Sequence, residues 1–401
     1  MMATRDIPVR LTEVGIAAEG IISIKAVDED PTIYHPNSIG DVVDRTGYPN
    51  QNVAAPGSTL LRLLDIATLR DEDDGPGFYA AVRGVTTAWN AAVLYESADA
   101  TAIYSQIKTL DFPAPIGIAK TILASGPTAL WDYLNTVDVE MIGGSLESFG
   151  ADETLRGAVA YLIGQEIILC QNVEQLSATR WRLNGPMVRG YKGTEWAIGT
   201  HQLGERFIVL TENSVRRIND ALADLDMQRN FKAVTSGQAI ENAAVTLFTN
   251  TGISLKPISP VDMTASFDGS DNILFNWNRR SRLVGRNGRD FFDPPLGEET
   301  EDWEMDLFND SETALLRTLT GANPAAFIYL IADQTTDFGA RKDSNLHGYL
   351  YQMSASVGRG YPLHFVIHPS GDSGIGPFEM EFESGALMEF EDGSAMEFET
   401  A

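Results

Sequence analysis

A single cysteine, Cys170, in a chain of 401 residues excludes an intrachain disulfide framework. It stands in the apolar run Ile167-Ile168-Leu169-Cys170, where a small hydrophobe in a buried strand fits better than a nucleophile. No apolar run approaches the roughly 20 residues that cross a bilayer as a helix. The opening Met1-Met2-Ala3-Thr4-Arg5-Asp6 does not lead into the apolar core of a signal peptide, so folding in a cytoplasm is expected. Basic charge is scarce as well: 29 Lys+Arg stand against 56 Asp+Glu, a net charge of −27. That excess repels a polyanion, and no nucleic acid is expected as a partner.

Chemistry-bearing clusters are also thin. The five histidines, His35, His201, His347, His364 and His368, are scattered, and only the last two could share a strand face. With Asp372 beyond Pro369 as the one nearby candidate, they do not make the three or four ligands of a zinc site. The acidic run Asp71-Glu72-Asp73-Asp74-Gly75-Pro76-Gly77 has Val82 where an EF-hand loop needs its twelfth-position carboxylate, and so reads as a solvated turn. Gly371-Asp372-Ser373-Gly374 copies a string found around the nucleophile of trypsin-like proteases. It follows the domain such a site would need, and no His and Asp partners can be placed around it, so it reads as a linker. In so acidic a chain two neighbouring carboxylates arise by chance and nominate no glycosidase pair. The expectation is a protein without catalytic residues, metal or cofactor: not an enzyme.

What is abundant is strand pattern. Residues 7–26 alternate, with Ile7, Val9, Leu11 and then Ile22, Ile24 on one side of the pleat. Residues 33–59 turn to Pro, Asn and Gly and mark a linker. Short apolar runs follow at Phe78 to Val82, Ala91 to Tyr95, Ile116 to Leu123 and Val137 to Ile142, separated by turn residues, which is the spacing of a sandwich or barrel. Leu155, Val159 and Leu162 suggest one helix over 152–163, capped by Asp152. From Pro257 a Pro-led strand (Val261, Met263, Ala265, Phe267) precedes a second strand, Ile273, Phe275, Trp277, with a buried Trp. Later strands are expected at Trp303 to Leu307, Phe327 to Ala332, Tyr349 to Ala355 and Leu363 to Ile367, and the whole fits a fibronectin type III-like domain. The fold class is therefore mainly β: several β-sandwich modules, a fibronectin type III-like domain among them, with short helical insertions. The expected layout is an N-terminal β segment and linker over 1–56, β-rich module or modules over 57–254, the fibronectin type III-like domain over 255–369, and acidic β repeats over 370–401.

Those repeats place Met380, Phe382, Met388, Phe390, Met396 and Phe398 at a period of eight residues, with Glu alternating between them. Met and Phe fall on one face of each short strand and Glu on the other. Burying six such side chains is too little to offset the entropy of ordering the tail, so its order is expected to come from stacking on other subunits.

Two stretches carry a family likeness. Trp181-Arg182-Leu183-Asn184-Gly185-Pro186-Met187-Val188-Arg189-Gly190-Tyr191-Lys192-Gly193-Thr194-Glu195, followed by His201, Gly204 and Phe207 to Leu210, resembles the baseplate or tail-tip hub protein, of host-specificity type, of gene transfer agents and related siphophages. Trp277-Asn278-Arg279-Arg280-Ser281-Arg282, Pro295 to Thr300, Asp337-Phe338-Gly339 and Val357-Gly358-Arg359-Gly360 resemble the same family in the same order, and residues 22–31 resemble the end of its hub core. The chain is similar to the C-terminal portion only: the glycosidase-like barrel of the larger hub has no counterpart, and its wall-degrading activity is not implied. The resemblance implies a structural component of the virion tail tip, assembled in the host cytoplasm as a homotrimer with other tail and baseplate proteins and with the host cell surface as a further contact. Arg189 and Lys192, flanked by Gly190 and Gly193 that permit positive φ, suit a tight turn that pins acidic neighbours, within the module or between subunits. The alternative is a surface carbohydrate-binding protein built of similar sandwiches, which needs no symmetric partner.

Overall fold

The computed structural model describes residues 9–16, 20–29, 56–99, 103–128, 130–283, 294–323 and 327–370. The Met/Phe repeats and the Gly371-Asp372-Ser373-Gly374 string lie outside them. The chain divides into two compact units, Met1–Ala55 and Pro56–Ala401.

The first unit contains one antiparallel hairpin, β1 (Val9–Ile16) with β2 (Ile22–Asp28). A strict period of two would put Val9 and Leu11 on one face and Val14 and Ile16 on the other. A bulge between Leu11 and Glu13 corrects this: Val9, Leu11, Val14 and Ile16 lie opposite Asp28, Ala26, Ile24 and Ile22, so every β1 hydrophobe shares a face. Lys25 and Glu13 pair at 2.7 Å on the reverse side.

The second unit opens with β3 (Thr59–Leu64), β4 (Gly77–Gly84), β5 (Ala92–Ser97), β6 (Ser105–Leu110), β7 (Ile116–Ala119) and β8 (Val137–Gly143). Helix α1 (Ala151–Leu155) then leads to β9 (Ala160–Ile163), β10 (Glu166–Cys170), β11 (Val173–Gln175), β12 (Arg180–Leu183), β13 (Met187–Val188), β14 (Arg206–Leu210), β15 (Arg216–Asn219), β16 (Gln228–Thr235) and β17 (Thr246–Thr249). They form three sheets: β15-β4-β3, β17-β16-β5-β6 and β11-β12-β8-β7-β14-β9-β10-β13. The small sheet is the middle layer. Leu64, Tyr79 and Ala81 point to the eight-stranded sheet, while Leu61, Leu63, Phe78, Ala80 and Val82 point to the four-stranded one. A strand covered on both faces needs apolar residues at every position, which is why β4 reads as an unbroken run. The same holds for β10, whose Ile167 and Leu169 serve one core and Ile168 and Cys170 the other. That second core draws on β7, β8, β9, β10, β12, β13 and β14, all from one sheet, so the eight-stranded sheet curls around it. Cys170 is 1% exposed, and burial pushes its thiol up to about 11, in keeping with a packing role.

The last part of the chain is a two-sheet sandwich. Its elements are β18 (Val261–Phe267), β19 (Ile273–Asn278), β20 (Trp303–Phe308), β21 (Leu315–Gly321), β22 (Ile328–Tyr329), α2 (Ile331–Phe338), β23 (Leu346–Ser354), β24 (Gly358–Arg359) and β25 (Leu363–Ile367). The sheet β18-β19-β22 faces β21-β20-β23, with β24 and β25 both pairing with β23. Three strands against four, with the two-residue β24 as a fifth at the edge, is the fibronectin type III arrangement. Trp277 of β19 is buried edge-on to Trp303 at 5.2 Å and to Phe327 at 5.0 Å. Here β19 has one wet face and alternates buried and exposed at every residue.

Two local expectations are corrected. The helix expected over 152–163 is five residues, is capped by Gly150 and not Asp152, and stops two residues short of Gly157, which takes φ +68; residues 160–163 are strand β9. The β-branched and aromatic run Val159-Ala160-Tyr161-Leu162-Ile163 had helical spacing by coincidence, and sheet pairing on both sides decides it. The strand expected over 327–332 stops at Tyr329. Buried Gln334 donates to the carbonyls of Tyr329 and Asp271, which holds α2 against the strand end, and Gly339 in the left-handed region closes the helix.

Candidate functional site

Glu166 opens β10, a strand buried at every residue, and its side chain is fully buried. A carboxylate there needs partners. Arg189, directly after β13 and equally buried, supplies a two-pronged grip: Nε donates to Glu166 Oε1 at 2.8 Å and one terminal nitrogen to Oε2 at 2.9 Å. The other terminal nitrogen donates to Asp132 at 2.9 Å and to the Ala124 carbonyl at 3.0 Å. The Gly190 N–H donates to Glu166 at 2.9 Å.

His201 completes the cluster, with Nε2 at 2.7 Å from Glu166 and Nδ1 at 2.9 Å from Glu205. Ionised carboxylates accept and do not donate, so a carboxylate at each ring nitrogen favours the doubly protonated ring. Burial works against that charge, but hydrogen bonds to Glu166 and Glu205 outweigh it and raise the His201 pKa. Burial likewise opposes ionisation of Glu166, and His201 and Arg189 together hold it below the usual carboxylate range. Asp132 is also held low: burial opposes its charge, and the Asn135 side chain, the N–H groups of Leu134 and Asn135, and Arg189 more than offset it.

The network aims the turn that follows. Gly190, Lys192 and Gly193 all have positive φ, +64, +58 and +82. A Cβ on Gly190 would lie 2.7 Å from the Glu195 Cα, and one on Gly193 would lie 2.2 Å from the Ile258 side chain. Both glycines are therefore required by close approach as well as by backbone conformation. The sequence expectation of a glycine-flanked turn pinning acidic neighbours holds for Arg189 inside the module. Its side chain has no surface to offer another subunit, so its place in an assembly contact is withdrawn. Lys192 is half-buried.

Beyond the turn, Glu195 accepts from Arg280 at 2.7 Å, and Arg280 also donates to the Ser259 carbonyl at 3.3 Å. Trp196 stacks on Tyr361 with centroids 5.2 Å apart and planes at 13°, while Lys256 covers the Tyr361 ring at 4.5 Å. Arg282 bonds Asp74 at 2.8 Å and Glu298 at 2.9 Å, and burial still leaves Glu298 above its usual range. These contacts dock the sandwich on the preceding sheets. A cleft of about 680 Å³ lies along the junction.

The other family-like motifs form ion pairs within their own modules. Arg182 grips Asp138 across the β12–β8 pair at 2.6 and 3.2 Å. Arg279 pairs with Glu301 at 2.9 Å, and Arg359 with Asp306 at 2.6 Å. Asp337 accepts from Arg317 and from the Tyr329 hydroxyl. Sequence reasoning did not find Glu166, Asp132, Trp196 or Tyr361. A signal existed for the first: one carboxylate leading an apolar run must be paired. On a neighbouring face, Glu312 joins His347 at 2.8 Å to His364 at 2.9 Å. Among the described residues no group of three or more His, Cys, Asp or Glu is arranged to hold a metal ion.

A family model described as "Rcc01698-like, C-terminal" matches residues 114–208. That span runs from just before β7 to within β14 and holds Asp132, Glu166, Arg189, Glu195 and His201. No curated protein matches the chain. Among solved structures, the FN1–FN3 domains of chicken CNTN1 align over 79% of this chain and 99% of that one, at 10% identity and a TM-score of 0.20. A likeness that slight does not bear on the fold, which rests on the strand order above.

Proposed function

We propose that the chain is a structural component of a phage-type tail tip or baseplate hub, non-enzymatic, that acts in tail assembly and host attachment. The observation that carries this is the convergence of the hub-like motifs on one mechanical path, from the buried Glu166–Arg189 fork through the Gly190–Glu195 turn to Arg280 of the sandwich. The span matched by the gene-transfer-agent-related family contains the first half of that path. Charged forks fix orientation, which apolar contact alone does not, and orientation is what a part that positions fibres needs.

Assembly as a homotrimer with other tail proteins is part of the proposal. Sedimentation of the full chain at increasing concentration, with gold labelling of tagged particles, tests it. A trimer and labelling at the tail tip are expected; a monomer at all concentrations, with no label on particles, refutes it.

A further inference from the structure

We infer that the junction cleft is a binding site for a neutral saccharide. Three observations lead there. The first is a bare aromatic platform. One face of Trp196 is spent on Tyr361, whose own ring is covered by Lys256, yet Trp196 stays 40% exposed at the cleft. Trp131 and Tyr191 line the same cleft from other segments. An aromatic face is negative and the C–H edges of a pyranose are weakly positive, so a sugar ring lies flat on such a surface.

The second is the polar end of the cleft. Arg280 and Glu195 line it as a paired donor and acceptor, and the buried Glu195 Oε2 has no hydrogen-bond partner among the described residues. A few fixed polar groups beside aromatic walls select among hydroxyl patterns. The volume, about 680 Å³, falls within the roughly 300–1,000 Å³ of small-ligand sites.

The third is charge. The Arg280 guanidinium is already paired, and the chain carries −27 overall, which disfavours anionic ligands and leaves neutral sugars. The site deepens the attachment half of the proposed function, and rests on that reading only for its biological use.

The test is a neutral-glycan array probed with the full chain, followed by titration of the best binder with tryptophan fluorescence as readout. Trp196→Ala and Trp131→Ala are expected to weaken binding about tenfold or more, and Trp196→Phe to retain most of it. Because Trp196 also supports docking, the thermal transition of each variant is recorded, and Trp131→Ala supplies the case outside the Tyr361 stack. No neutral glycan bound by the wild-type chain, or binding unchanged in both alanine variants, overturns the inference. A trimer that binds no glycan removes the cleft and leaves the hub; a monomer that binds glycan through Trp196 does the reverse.

Discussion

Arg189→Met is the sharpest test of how this protein holds its shape. The substitution keeps an unbranched apolar stem and removes four donated bonds: two to Glu166, one to Asp132 and one to the Ala124 carbonyl. Both carboxylates stay where they are. Glu166 retains His201 and the Gly190 N–H, and Asp132 retains Asn135 and two backbone N–H groups, so neither is wholly abandoned. Breaking a buried pair from one side costs about 3–5 kcal/mol. We expect a loss of that size in urea unfolding followed by tryptophan fluorescence, with the denaturant slope unchanged. Arg189→Lys should fall between, because an ammonium cannot fork across both Glu166 oxygens. The triple variant Arg189→Met, Glu166→Gln, Asp132→Asn should regain at least about 2 kcal/mol over the single one, since the cost lies in the uncompensated charges. If Arg189→Met costs less than about 1 kcal/mol, or the three changes simply add, the network does not hold the module as argued.

The His201 pKa is raised from its ordinary 6.5, so its stabilising effect is complete below 6.5 and disappears as pH climbs through the folded value; Glu166 is lowered from 4.5, so its effect is complete above 4.5 and is lost as pH falls through the folded value. Stability should therefore peak between these ordinary values and decline on the alkaline side, and His201→Gln should flatten that alkaline limb in melts across pH. Gly193→Ala forces a left-handed φ on a residue with a Cβ and drives that Cβ into Ile258; a loss of about 1–3 kcal/mol is expected by denaturant titration, against near-neutrality for the open position Gly204→Asn. Arg280→Ala removes the bond to Glu195 and should loosen the sandwich, read as a second thermal transition or faster proteolysis near Lys256, with a cost of about 1.5–3 kcal/mol. Trp277→Ala should cost about 3–5 kcal/mol in the sandwich while leaving the Glu166 module's transition in place.

Strand existence was legible wherever one rule decided it. β19 and β25 follow from alternation, and β4, β10 and β14 from unbroken apolar runs, since a run of that length has no other place than a strand covered on both faces. Layering was not legible. Nothing local says that Leu63 and Leu64, neighbours in sequence, face the cores of two different sheets, because that depends on which sheets stack. β9 was not legible as a strand because its Leu162 continues the helical spacing of Leu155 and Val159, and tertiary pairing overrode that period. Of the candidate site, the glycine turn and its basic residues could be read from composition, and so could the likeness that drew attention to 277–282. The partners could not. Arg189 lies 57 residues from Asp132 and 23 from Glu166, and Glu195 lies 85 from Arg280, separations that no sequence window connects.

Charge scarcity gives the arrangement its wider sense. With 29 basic residues against 56 acidic ones, each arginine paired with a carboxylate of its own chain leaves the acidic excess of the exterior uncompensated. Arg189, Arg279, Arg280, Arg282, Arg317 and Arg359 all hold carboxylates of their own chain. Those six are committed to their own chain, and with a net charge of −27 copies repel at long range. Any symmetric assembly must be driven by uncharged surface and should strengthen as salt screens the repulsion. The described residues offer such surface in the loop that borders the cleft. Leu130, Tyr133 and Leu134 are exposed there around Asp132, whose carboxylate is fixed by Arg189 and by the N–H groups of Leu134 and Asn135. A loop anchored by a buried ion pair presents its hydrophobes in one geometry, so Arg189→Met should disturb the exposed Leu130, Tyr133 and Leu134 as well as the interior network.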